Sequence, residues 1–328
     1  MALRQWLDRL LSPELPGMTP DSPRASLAWV GLLLGTIALL AAARLLLAPD
    51  QTWQIVDAAA GTVICALYLV RGQGLAGLLR LGGQTRGVVL GGNLLFSAYW
   101  YTGRVPAYRR WVAPHVSGGA LAPLYPMLYL AAGSVLYRSV LPLVGAWLLW
   151  GLTPAQLGAR RSRSDASAVR PLWPVYLALY LALLPVIAAA SRTAAFRRRY
   201  PFYRGVVGPR GRIAPGCFAL GQLAYLAIFA SGEGFWRGVL LFGTERELGL
   251  YSLPFMVVPY VTAHYGKPLP ETLGAVAAGT ILGWLALKHR TFWLGVALHY
   301  AVALTMDLLA IRAHGFTLST PSTKELLR

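Results

Sequence analysis

Five ionisable side chains interrupt the apolar runs in the C-terminal third of this 328-residue chain: Glu233, Arg237, His264, His299 and Asp307. A charge at the centre of a bilayer costs about 2.5–3.5 kcal/mol even on the lenient insertion scale, so each needs a reason to be there. Glu233 and Arg237, in SGEGFWRGVLLFG, are four apart, which on a helix puts them on one face as an ion pair. Alone, that pair needs no function, because mutual neutralisation lets both stay buried. His264 closes the run PFMVVPYVTAHYG one turn after Tyr260, and His299 stands in the middle of FWLGVALHYAVALTMD. A lone buried histidine is more often a hydrogen-bonded core residue than a catalyst. Two imidazoles on two segments, with a carboxylate on a third, are a rarer coincidence. Such a set can hold and deprotonate a water, and it can equally ligate zinc with His264 and His299 as metal ligands. Glu233, Arg237, His264 and His299 are therefore expected to line one cavity, since leaving them apart in lipid is costly.

The elements that must position them follow from composition. The chain is 56% hydrophobic and only 13% charged, well below the usual charged quarter of a soluble domain. Its apolar residues gather into blocks, several of which reach the roughly 20 residues that cross a bilayer. The blocks run over Ser26–Leu47, Trp53–Val70, Gly87–Tyr101, Leu121–Leu152, Pro171–Ala190, Ala214–Phe242, Leu253–His264, Leu273–Leu287 and Phe292–Ile311. Arg138 interrupts the fourth, which is either one long helix or a re-entrant piece plus a span. The fold class is thus an all-α polytopic transmembrane bundle of about eight or nine spans. Before it, Leu3, Trp6, Leu7, Leu10 and Leu11 share one face of a short amphipathic helix suited to the membrane interface. No continuous apolar stretch of signal-peptide type is visible there.

The net charge of +18 does not point to nucleic acid, because the basic residues lie in loops and form no single patch or arm. Lipid headgroups are the simpler partners. The loop Ser191–Arg212 carries seven arginines, and the loop across the same span carries Arg160, Arg161, Arg163 and Arg170. The positive-inside rule would place both in the cytoplasm, which one span forbids, and the longer cluster is the better candidate. Cys65 and Cys217 lie far apart in apolar runs and define no disulfide framework. Ala275, Gly279 and Gly283 recur at four-residue spacing, a stripe that lets a neighbouring helix pack closely. Glu271, in GKPLPETLG, is expected near a helix start, where the dipole favours a carboxylate; the mouth of the cavity is the alternative.

The order Glu233-Gly-Phe-Trp-Arg237-Gly238, then Tyr260-Val-Thr-Ala-His264, then a small-residue helix and the mid-span His299 resembles the CAAX protease and bacteriocin-processing family. This family is also called the Abi or type II CAAX prenyl endopeptidase family. The resemblance covers about 214–311 and implies a helical intramembrane endopeptidase in which a Glu and histidines activate a water. Carried over, Glu233 is the general base, His264 and His299 orient water or stabilise the oxyanion, and Arg237 holds the Glu helix in register. Two positions depart from the family pattern. Its first motif has paired glutamates, where this chain has Gly232 and Glu233, and its Asn one turn after the last His is Ala303 here. Asp307 is the nearest polar residue. It lies two turns past His299, about 12 Å along the axis at 1.5 Å per residue, so it joins the catalytic candidates without simply replacing that Asn.

The implied organisation is an amphipathic segment over 1–25, a transmembrane region of unassigned role over 26–212, a protease-like core over 213–312 and a tail over 313–328. The implied activity is cleavage of a membrane-associated protein or peptide by a multi-pass protein of the cell inner membrane, with zinc or without a metal. Two other classes fit parts of the pattern. Gly232 and Ala303 suit a non-catalytic immunity or scaffold protein. Intramembrane Glu, Arg and His suit a proton-coupled transporter, although no inverted repeat is visible.

Overall fold

Among the described residues, glycine and proline punctuate a mostly helical chain. The computed structural model describes residues 3–12, 31, 34–35, 37–38, 81–116, 118–119, 121–160, 173–265, 267 and 269–319. The helices are α1 (Leu3–Leu11), α2 (Gly83–Thr102), α3 (Val105–Trp111), α4 (Ala122–Trp150), α5 (Trp173–Ala190), α6 (Ala194–Arg199) and α7 (Pro215–Glu233). A π-helix over Gly234–Phe242 leads into α8 (Gly243–Leu248), α9 (Ser252–Thr262), α10 (Leu269–His289) and α11 (Trp293–Ala313).

The punctuation has local causes. Pro123 and Pro126 stand at the start of α4, where a missing N–H is harmless. Gly151 ends that helix with φ +64°. From there its N–H reaches the carbonyls of Ala146 and Trp147, while the Leu152 N–H returns to Ala146, a Schellman stop. Arg138 does not break α4 in two. It sits in a single π turn, Leu136–Val140, so the ambiguous block is one interrupted helix. The expected span Ala214–Phe242 also runs on, through α8 to Thr262, as a helical stretch of 48 residues. At about 1.5 Å per residue that is twice a bilayer core. Gly249, with φ +54°, supplies the turn that divides it.

Among the described residues, five stretches are long and apolar enough to cross a membrane: Ala122–Trp150, Trp173–Ala190, Pro215–Thr262, Pro270–His289 and Trp293–Ala313. Their outer faces are oily: Leu148, Leu149, Val186 and Leu223 are all more than 60% exposed, as lipid-facing residues should be. This is an all-α integral membrane protein. The block 87–101 forms α2, which is not among the five, and the two blocks before it fall almost wholly outside the described residues.

The chain divides into two compact units. The first comprises Met1–Ser97, Ser139–Leu172 and Glu233–Phe292. Within it α9 lies on α10, and the small-residue stripe does the packing. A Cβ on Gly279 would stand 2.9 Å from Tyr260 Cδ1, and one on Gly283 would stand 2.4 Å from Leu253 Cδ1. The C-terminal end of α1 is fastened to α10, where Trp284 Nε1 donates to the Leu10 carbonyl at 3.0 Å and Lys288 Nζ to that of Ser12 at 2.6 Å. Glu271 lies in the first turn of α10, as expected, and pairs with Lys267 at 2.7 Å.

The second unit comprises Ala98–Arg138, Trp173–Gly232 and Trp293–Arg328. Its core joins Met127, Ala131, Ala224, Tyr225 and Ala303. Tyr180 on α5 and Thr305 on α11 share a hydrogen bond of 2.8 Å. The basic loop is closed by a small parallel ladder unforeseen in the sequence, β1 (Arg212–Ile213) against β2 (Thr317–Leu318).

Candidate active site

The site in the first unit is built on a widened helix. Directly after Glu233 the backbone opens into the π-helix Gly234–Phe242, a form that is rare and frequent at functional sites. Its glycines admit close neighbours. A Cβ on Gly238 would lie 3.1 Å from the Leu157 carbonyl oxygen and 3.4 Å from Phe292, so a side chain at the Arg237-Gly238 step would crowd both. All nine residues of the π-helix are buried.

Glu233 and Arg237 pair as their spacing predicts, Arg237 Nη1 donating to Glu233 Oε1 at 2.8 Å with the two residues 2% and 0% exposed. The Arg237 guanidinium lies over the Tyr260 ring, 4.5 Å from its centroid. Trp236 meets that ring edge-on at 6.1 Å and Phe96 at 5.4 Å. Arg237 is therefore held by a carboxylate and an aromatic face together. Its Nε and Nη2 are buried without a hydrogen-bond acceptor among the described residues. Buried donors of this kind are normally satisfied by water or by a bound group.

His264 follows in the turn after α9, its ring 4.7 Å from that of Tyr260. Its Nδ1 lies 2.8 Å from the Tyr260 carbonyl oxygen, which can only accept, so Nδ1 carries a proton and Nε2 is left for other partners. Thr272 on α10 donates to the His264 carbonyl at 2.9 Å and fixes the turn. Glu233, Arg237, Tyr260 and His264 thus form one chain of contacts.

His299 and Asp307 belong to the second unit. The His299 ring packs 4.7 Å from Phe229. The Asp307 carboxylate accepts from the Phe202 N–H at 2.7 Å and from Gln222 Nε2 at 2.9 Å. Both departures from the family motif have a physical setting in this unit. A Cβ on Gly232 would stand 3.0 Å from Arg138 Nη1, and that guanidinium is pinned by Ser134, by the Ile228 carbonyl at 2.8 Å and by the Tyr99 ring at 4.8 Å. Ala303 packs in the apolar core.

This arrangement can be set against known proteins. Residues 215–305 match a family model, described as type II CAAX prenyl endopeptidase Rce1-like. The Rce1-like segment holds Glu233, Arg237, His264 and His299, and ends before Asp307. The match covers under a third of the chain, and at family level that segment is similar to intramembrane endopeptidases. No curated protein and no solved structure gives a significant match.

Two features of the site went unread in the sequence. Arg138 was visible as a lone cation in an apolar run, but nothing in its spacing linked it to Gly232. Glu245, 5% exposed, pairs with Arg290 across a separation of 45 residues, too far for any local pattern to reveal.

Proposed function

We propose that this chain is an intramembrane endopeptidase with Glu233 as its general base. Glu233 takes a proton from a water as the water oxygen attacks the carbonyl carbon of a substrate peptide bond in or near the membrane. The C–N bond then breaks as the leaving nitrogen receives that proton from Glu233. His264 and His299 orient the water or donate to the oxyanion, and Arg237 holds the carboxylate in place. The observation that carries this reading is the fully buried Glu233–Arg237 pair, at the mouth of a π-helix inside the Rce1-like segment.

A catalytic zinc site keeps three protein ligands. Among the described residues no three His, Cys, Asp or Glu side chains come together as ligands. The substrate is a membrane-associated protein or peptide, and the setting a multi-pass protein of the cell inner membrane.

The test compares wild type with Glu233→Gln for cleavage of a panel of membrane-tethered peptides, with and without a chelator. Loss of about 10²–10⁴ in rate in the Gln variant, insensitive to the chelator, is expected. Full activity in that variant eliminates Glu233 as base. Chelator inhibition reversed by zinc replaces the mechanism with a metal-assisted one through His264 and His299. Absence of cleavage by the wild type across the panel favours a non-catalytic relative, for which Gly232 and Ala303 are the motive.

A further inference from the structure

The second unit carries its charge almost entirely as arginine. Among its described residues four arginines precede residue 139, seven lie over 192–212, and Arg312 stands in the last turn of α11. Against them is a single carboxylate, Asp307, whose oxygens accept from the Phe202 amide and from Gln222 Nε2.

Most of these arginines gather where membrane spans begin or stop. Tyr203 Oη donates to the Pro123 carbonyl at the start of α4. His314, just past α11, has its Nε2 2.9 Å from the Arg197 carbonyl oxygen. The β1 strand that leads into α7 pairs with β2 beyond α11, and α5 ends at Ala190, two residues before Arg192. This end of the unit therefore lies at the depth of the lipid headgroups, where Trp and Tyr are enriched. The exposed Tyr101 and Trp111 fit that depth.

Several of the arginines spend their donors on the chain itself. Arg204 donates to the carbonyls of Arg197 and Tyr200, and Arg197 to that of Arg192. Others, such as Arg109, Arg110 and Arg198, are exposed to solvent. Arg104 and Arg199 are in neither condition. Both are half-buried, and among the described residues neither guanidinium has a hydrogen-bond acceptor or a carboxylate. Arg104 lies over the Trp100 ring, 3.6 Å from its centroid, and Arg199 over the Phe202 ring at 5.4 Å. The Arg199 Nε is buried with nothing to accept its proton.

A third guanidinium is close by, since Arg138 covers the Tyr99 ring, the neighbour of Trp100 in the chain, at 4.8 Å. Burial pushes the Arg104 guanidinium below its ordinary value; Arg199 and Arg138 push the same way, and Tyr99 opposes them. Like charges held partly out of water repel, and a buried donor without an acceptor adds its own cost. An anion with several oxygens relieves both. A phosphate presents oxygens on more than one side, so two guanidinium forks can grip it at once. Anionic lipids supply that group at this depth, and their surface attracts arginines next to the spans.

We propose that Arg104 and Arg199 form a seat for the phosphate of an anionic phospholipid, with the exposed arginines around them as its electrostatic collar. The seat does not depend on the endopeptidase reading, and its test needs no cleavage.

The full chain in an uncharged detergent is titrated with phosphatidylglycerol or with phosphatidylcholine of the same acyl chains, and native mass spectrometry counts the lipids retained. Saturable retention of phosphatidylglycerol is expected, about tenfold or more tighter than that of phosphatidylcholine. Arg104→Gln and Arg199→Gln should each weaken it by about tenfold. The exposed control, Arg109→Gln combined with Arg198→Gln, should weaken it by less than roughly threefold. Phosphatidylglycerol should also raise the unfolding temperature of the wild type and leave that of Arg104→Gln unchanged. Equal retention of the two lipids by the wild type overturns the seat, whether or not the variants fold. Equal losses in the seat and control variants replace it with a diffuse basic surface. Displacement of the lipid by an equal concentration of inorganic phosphate gives the seat to the free anion and overturns the lipid as its occupant.

Discussion

At Arg237 and Gly232 opposite substitutions should be harmful for different reasons. Arg237→Ala removes the cation paired with the buried Glu233 carboxylate, and breaking a buried pair costs about 3–5 kcal/mol. His299→Ala removes a side chain packed on Phe229. The folded fraction recovered by size exclusion in detergent should therefore fall much further for Arg237→Ala. Equal yields would show that the pair contributes little to the fold. At Gly232 the problem is added volume. A methyl group there presses on Arg138, which three neighbours hold still, and overpacking of this kind costs about 1–3 kcal/mol. Thermal unfolding should show Gly232→Ala destabilised in the wild-type background and nearly neutral when combined with Arg138→Ala. Additive effects would exclude a direct clash.

Among the elements, α10 offers an internal control for its small-residue stripe. Gly274→Ala meets nothing within 4 Å and should be neutral or stabilising by up to about 1 kcal/mol, through helix propensity alone. Gly279→Ala, on the same helix, drives a methyl into the Tyr260 ring and should lower stability and, through Arg237, activity. Equal unfolding midpoints for the two variants would show that α9 and α10 have room to separate. The stripe was legible because packing in a membrane leaves a periodic residue of small side chains. So were the helical blocks, whose apolar length is imposed by the bilayer, and the Glu233–Arg237 pair, whose spacing is local. The π-helix was not, and the close approach of its Gly238 to the carbonyl of residue 157, 81 positions away, leaves no local pattern. Nor was the long run from Pro215 to Thr262, since only the backbone at Gly249 shows where it turns. Asp307 was visible as a polar interruption, whereas its partners Phe202 and Gln222 come from distant sequence.

At the scale of the molecule, the catalytic candidates are distributed over two interleaved units, Glu233 and His264 in one and His299 in the other. If they act on the same water, their losses should not add. Glu233→Gln combined with His299→Ala should then be no slower than the worse single variant, as for residues that work as a unit. Multiplying losses would mean independent roles. The fastening of α1 can be followed separately. Lys288→Met removes the donor to the Ser12 carbonyl, and hydrogen exchange over Arg4–Leu11 should speed up while α10 remains protected. Unchanged exchange in α1 would assign its anchoring to other contacts.

That fastening also bears on how the protein is made. Ser12 and Lys288 are 276 residues apart in the chain. At 5–20 residues per second, roughly 14–55 s of synthesis separate the appearance of α1 from that of its docking helix. During that interval α1 has its apolar face and no α10 to receive it. The bilayer surface is the available host, so the amphipathic sequence serves the nascent chain as a temporary float and the finished protein as a clasp. A ribosome stalled before α10 should leave α1 on the membrane surface, open to protease from that side, until synthesis resumes.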